Sequence, residues 1–120
     1  MAMRRKRLDG RQAVMQDFAT AAADRGEHFF YIGIPEALGP LARGEKYEDP
    51  LGDAIGKLGE VTGGGSQLGE GNSIAYCGID VVVNDRVLRL DVIRRTMRAC
   101  GAPADTIIEE YLPEYRELRL

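Results

Sequence analysis

Residues 60–83 read EVTGGGSQLGEGNSIAYCGIDVVV, and their reading decides the fold. Ser73 to Val83 is dense in β-branched and apolar residues, which predicts a long strand. Glu60 to Leu68 predicts a second strand interrupted by glycines, and Gly69-Glu-Gly-Asn72 between them is turn chemistry. The pair therefore reads as a hairpin. Gly63, Gly64 and Gly65 raise the question of a phosphate loop. Such a loop needs a helix immediately after its glycines, so that the first turn's free amides hold the anion. Here a turn and a strand follow instead, without a Gly-Lys-Ser/Thr step or G-x-G-x-x-G spacing. The nucleotide reading is set aside. Bending or close approach of a neighbour is the structural use of such glycines, and on an edge strand they spoil a template for unwanted pairing. The functional use is a partner or ligand resting on bare backbone beside Ser66 and Gln67.

Outward from the hairpin, the remaining elements are well punctuated. His28–Ile34 (HFFYIGI) predicts a strand that Pro35 stops, because proline cannot donate to a ladder. Glu36–Glu48 reads as a loop with at most one turn of helix. Asp49 and Pro50 read as the N-cap and first position of a helix with Leu51, Ile55 and Leu58 as its stripe and Gly59 as its stop. A further helix runs from about Asp85 to Cys100, with Val87, Leu90, Ile93, Met97 and Cys100 inward. Thr106–Leu112 predicts the last strand, ended by Pro113, and Glu114–Leu120 a polar, helix-compatible tail. Ahead of all this, Gly10–Arg25 predicts a helix with Val14, Phe18, Ala21 and Ala22 on its apolar side. Residues 1–9 read as a disordered basic N-terminus, and residues 10–120 as one α+β domain.

Without that first helix, the order is strand, helix, strand, strand, helix, strand. This succession resembles the ferredoxin-like, split βαβ superfold. The resemblance implies βαββαβ topology, a four-stranded antiparallel sheet in the order 4-1-3-2 with two helices on one face, and an extra N-terminal helix. It implies nothing about activity, because a superfold hosts many functions.

The chain has 120 residues, 44 % apolar and 29 % charged, the balance of one globular domain. No apolar run is long enough to span a bilayer, and the basic start lacks the apolar segment of a secretory signal, so the reading places the chain in the cytoplasm. The net charge is −3 and residues 1–11 carry +4, leaving −7 on residues 12–120. Such a surface repels nucleic acid and anionic membrane. Cys77 and Cys100 make neither a disulfide framework nor a metal site, and no cofactor is expected. A catalytic triad is unsupported, since Ser66 and Ser73 are the only serines and neither sits in G-x-S-x-G.

Alternation along the strands assigns a candidate surface. Phe30, Ile32, Ile34, Ala75, Cys77, Ile79, Val81 and Val83 face the helices. The opposite face then carries Tyr31, Tyr76 and Asp80, joined by Glu109 and Tyr111 if that set of the last strand faces outward. Three uses fit. Bases could stack on Tyr31 and Tyr76 as in RNA-binding domains of this topology, but Asp80 and Glu109 repel phosphate. A small ligand could bind with Asp80 as proton acceptor. Protein could cover the face: the first helix, a second copy or another partner. A second candidate is the loop and hairpin rim, comprising Arg43, Lys46, Tyr47, Gly63, Gly64, Gly65, Ser66 and Gln67. The expectation is a non-catalytic protein-binding or self-associating module, regulatory or immunity-like, with a protein partner or homodimer. Its alternative is a small-molecule binder or enzyme on the tyrosine-acid face.

Overall fold

In the computed structural model, which describes residues 7–68 and 74–120, one antiparallel sheet organises the chain. The elements are α1 (Gly10–Asp24), β1 (His28–Ile34), α2 (Pro40–Arg43), a π-helical turn (Gly44–Glu48) and α3 (Asp49–Ile55). They continue with a 3-10 turn (Gly56–Leu58), β2 (Gly59–Leu68), β3 (Ile74–Val83), α4 (Arg86–Ala99), β4 (Ile107–Glu110) and β5 (Arg116–Arg119). The sheet order is β2-β3-β1-β4-β5. The expected basic start at residues 1–6 and the expected turn Gly69–Asn72 lie outside the described residues.

The sheet has five strands where four were expected. The fifth is the polar tail, in which Arg116–Arg119 pairs with Glu110–Ile107. Four residues reading Arg-Glu-Leu-Arg are too short for a period to declare itself, and the cue in retrospect is Leu118, which packs against the core while its neighbours stay exposed. Among the described residues no helix is long and apolar enough to cross a membrane.

One sheet face carries the main core. Phe30, Ile32, Ile34, Cys77, Ile79, Val81, Val83 and Ile108 pack beneath Tyr47, Leu51, Ile55, Leu90, Ile93 and Met97. Each large apolar side chain so buried contributes about 1.5–3 kcal/mol relative to exposure. The other face holds Phe29, Tyr31, Val82 and Tyr111, with Ala19 and Ala22 of α1 packed on them.

Three helical expectations are corrected. The segment before α3 is not a loop. Helical backbone runs from Pro40 through Arg43, Glu48 and Asp49, so Asp49 sits inside the helical run and caps nothing. The π-helical turn directly ahead of Pro50 has a physical reason, since a proline ring collides with the carbonyl four residues back and a wider turn relieves the collision. In α4 the inward row is Arg86, Leu90, Ile93 and Met97, and Val87 is 69 % exposed. Arg86 takes the inner position because it pairs with buried Glu110. In α1 the inward row is Gln12, Met15, Ala19 and Ala22, leaving Val14 and Phe18 nearly half exposed at 47 % and 46 %. The helix is turned by one row because Gln12 must reach the carboxylate beneath it.

Candidate functional site

The sheet face opposite the main core is where the candidate residues gather. Tyr31 lies across from Asp80 on β3 and across from Glu109 on β4. Its hydroxyl end rests on Gly78, where a β-carbon would collide with the hydroxyl oxygen and the adjoining ring carbons, so glycine at that position is what lets the tyrosine lie against the sheet. The Arg11 guanidinium lies over the same ring, 4.5 Å from its centre. Burial pushes the Tyr31 hydroxyl up to about 12, opposed by the positive charge of Arg11.

Glu109 fastens α1 to the sheet. Arg11 Nη1 and Nη2 donate to its two carboxylate oxygens at 2.8 and 3.1 Å. Tyr111 Oη donates to one oxygen at 2.7 Å, while Tyr115 Oη and Gln12 Nε2 donate to the other at 2.8 and 3.2 Å. Burial alone would raise this carboxyl, but those donors outweigh it and hold the group down at about 2. The helix start is built to deliver them. Asp9 accepts from the Gln12 backbone at 2.8 Å, and the Gln12 side chain accepts from the Asp9 backbone at 3.1 Å. Glu109 and Tyr111 are therefore spent on structure beneath α1.

The rest of the face stays open in two separate depressions. Tyr76 and Tyr31 share a cleft of about 340 Å³ with Arg11, Ala75 and Asp105. Asp80 lies in a different groove of about 230 Å³, walled by Phe18, Phe29 and Val82. So the five face residues share one side of the sheet, but Tyr76 and Asp80 do not share a pocket. Asp80 is half-buried, and burial pushes its carboxyl up against the pull of Arg11 and Arg43.

The loop and hairpin candidates also meet, on the helical side of β2. Arg43 donates to Glu48 through Nε and to Ser66 Oγ through Nη1, both at 3.2 Å, and Ser66 Oγ donates to the Leu38 carbonyl at 2.7 Å. Lys46 pairs with Glu36 at 2.7 Å and Tyr47, fully buried, donates its hydroxyl to the same carboxylate. The glycines answer the question they raised. A β-carbon on Gly64 would lie 2.7 Å from the Glu48 carboxylate and 2.8 Å from the Gly78 carbonyl, so bare backbone makes room for the Arg43–Glu48 pair. Gly63 is turned instead toward Asp80, and Gly65 pairs across with Gly78. Gln67 pairs in register with Tyr76.

No protein-family model, curated protein or solved structure matches the chain.

Sequence reasoning missed a third polar cluster, on the helical side of β4. Glu110 is fully buried, accepts from Arg86 through both oxygens, one at 2.8 Å, and lies 2.6 Å from His28 Nε2. His28 opens the first strand, where a lone histidine would ordinarily face water. It is mostly buried, its ring edge-on to Phe30. The adjacent pair Glu109-Glu110 carried the signal, because alternation sends one acid to each face of a buried strand and each then needs cations. Arg11 and Gln12 left no comparable trace, since their partners come from the far end of the chain. Among the described residues no group of histidine, cysteine and acidic side chains could hold a metal ion. Burial pushes the Cys77 thiol up, away from the reactive thiolate.

Proposed function

We propose that the protein is a non-catalytic protein-binding module whose contact surface is the part of the sheet face that α1 leaves bare. One observation carries the reading. Phe18 stands nearly half exposed on α1 and lines the groove that holds Asp80, and Val14, one turn earlier, is nearly half exposed as well. An apolar rim around a polar floor is the composition of a protein contact rather than of a solvated face. The reading includes the ferredoxin-like class as the ancestry of the sheet, with α1 and β5 as additions; the adjacency β2-β3-β1-β4 supports it. The regulatory or immunity-like role remains part of the same proposal, supported by the net −7 of residues 12–120, which suits a basic partner.

The test is to isolate the protein at low salt with its stoichiometric companions and to measure the mass by light scattering. A companion chain or second copy should be released by Phe18→Glu and retained by Leu41→Glu, an exposed leucine on α2 in the helical layer. A monomer mass with no companion, or equal release by both variants, overturns the reading.

The alternative, a small-molecule site, is favoured by the cleft between Tyr31 and Tyr76, whose 340 Å³ falls within the range of ligand pockets. Against it, the two tyrosines share that cleft with Arg11 and not with Asp80, the acid the chemistry would need.

A further inference from the structure

The groove beside α1 has a chemistry that narrows its occupant. Asp80 and Thr62 line it together with Phe18, Ala21, Phe29 and Val82, and Arg25 stands at one end. At about 230 Å³ it is smaller than pockets that enclose whole small molecules, and of a size for one long side chain. Asp80 is half-buried, yet its carboxylate makes no hydrogen bond or ion pair among the described residues. The nearby cations are committed elsewhere. Arg11 is held by Glu109, Arg43 by Glu48, and Arg25 at the rim by Glu27 at 2.9 Å. Arg11 and Arg43 act on Asp80 only from a distance, and a half-desolvated acid with no directly bonded cation is costly unless something supplies one.

We propose that this groove receives an arginine side chain from a basic segment of a protein partner. The inference rests on the protein-binding reading above and names the chemistry of its contact. The guanidinium would meet both oxygens of Asp80, a planar pairing that a lysine ammonium cannot reproduce. Its methylene stem would lie along Val82 and Phe29, and the half-exposed ring of Phe18 offers a face for the guanidinium plane. The negative charge of residues 12–120 draws such a segment in from a distance.

The experiment uses three fluorescent peptides that alternate glycine with arginine, lysine or glutamate, titrated by anisotropy against the full chain at low salt. The arginine peptide should bind more tightly than the lysine peptide, and the glutamate peptide not at all. Asp80→Asn should weaken the arginine peptide about tenfold or more, the loss of one charge-assisted pair. Phe18→Ala, at a position nearly half exposed, should weaken it several-fold while the thermal melt stays cooperative. Asp53→Asn removes an exposed charge on α3 and should leave binding unchanged. Equal loss in Asp53→Asn and Asp80→Asn, equal binding of lysine and arginine peptides, or no binding at all would overturn the arginine site. If the peptides fail while Phe18→Glu still releases a companion chain, this inference falls and the protein-binding reading stands. If the companion is indifferent to Phe18→Glu, that reading falls as well.

Discussion

Arg11 and Glu109, 98 residues apart in the chain, meet through two hydrogen bonds of 2.8 and 3.1 Å and so close the N-terminal helix onto the fourth strand. The contact makes stability depend on acid. The Glu109 carboxyl is held at about 2, below its ordinary 4.5, so its contribution is complete above pH 4.5 and is lost as pH falls toward 2. Allowing for solvent screening, that contribution is on the order of 2 kcal/mol. Urea unfolding at pH 7, 4 and 2.5 should show the wild type losing about that much more than Glu109→Gln over the acid range. Parallel profiles would mean that the carboxylate is not the group that senses acid.

The Tyr31 ring lying on Gly78 predicts a steep steric cost. Gly78→Ala drives a methyl group against the hydroxyl end of the ring and should destabilise by about 3 kcal/mol, as overpacking of a tight contact does. The double variant Gly78→Ala with Tyr31→Ala should be less impaired than the sum of the two single changes. Additive losses in chemical denaturation would argue that the ring does not rest there.

Two glycines elsewhere should respond in opposite directions. Gly64→Ala drives a β-carbon against the Glu48 carboxylate and the Gly78 carbonyl and should cost about 1–3 kcal/mol. Gly52, in α3, has nothing within 4 Å of an added β-carbon, so Gly52→Ala should stabilise by about 0.5–1 kcal/mol. Thermal melts read both, and a stabilising Gly64→Ala would remove the case that the Arg43–Glu48 pair dictates that glycine.

Glu110 joins His28 on β1 and Arg86 on α4 through one buried carboxylate. Glu110→Ala leaves both without their anion and opens a hole in the sheet face, so a loss of about 3 kcal/mol is expected. Burial would raise this carboxyl, but Arg86 and His28 outweigh it and hold it low, so its stabilisation too is present above the ordinary carboxylate range and falls away in acid. The measurement is the denaturant midpoint of wild type and variant at pH 7 and pH 4. The gap should narrow at the lower pH.

The first four strands and their facing were legible because β-branched density and strict alternation report burial directly. Tyr31, Tyr76 and Asp80 could be placed on one side of the sheet from Cys77, Ile79 and Val81 on the other. What hid was polar. The rows that α1 and α4 turn inward include Gln12 and Arg86, drawn there by Glu109 and Glu110. A hydrophobic stripe cannot announce a helix rotated by an ion pair, because the deciding partner lies on an element remote in sequence. The Pro40–Glu48 segment hid for a different reason, since Gly39-Pro40 and the charged run after it carry loop composition while Arg43 and Tyr47 are buried by tertiary contacts. For the site, residue type and side of the sheet could be read, whereas the division into two depressions could not, since each is lined by residues from elements remote in sequence.

Fastening α1 by its first turn has a practical corollary for anyone shortening this gene. A version starting at residue 26 would lose Arg11, Gln12, Ala19 and Ala22 together and bare Phe29, Val82 and Tyr111 to water. Such a chain could keep every strand and still clump, its greasy aromatic floor glued to that of its neighbours.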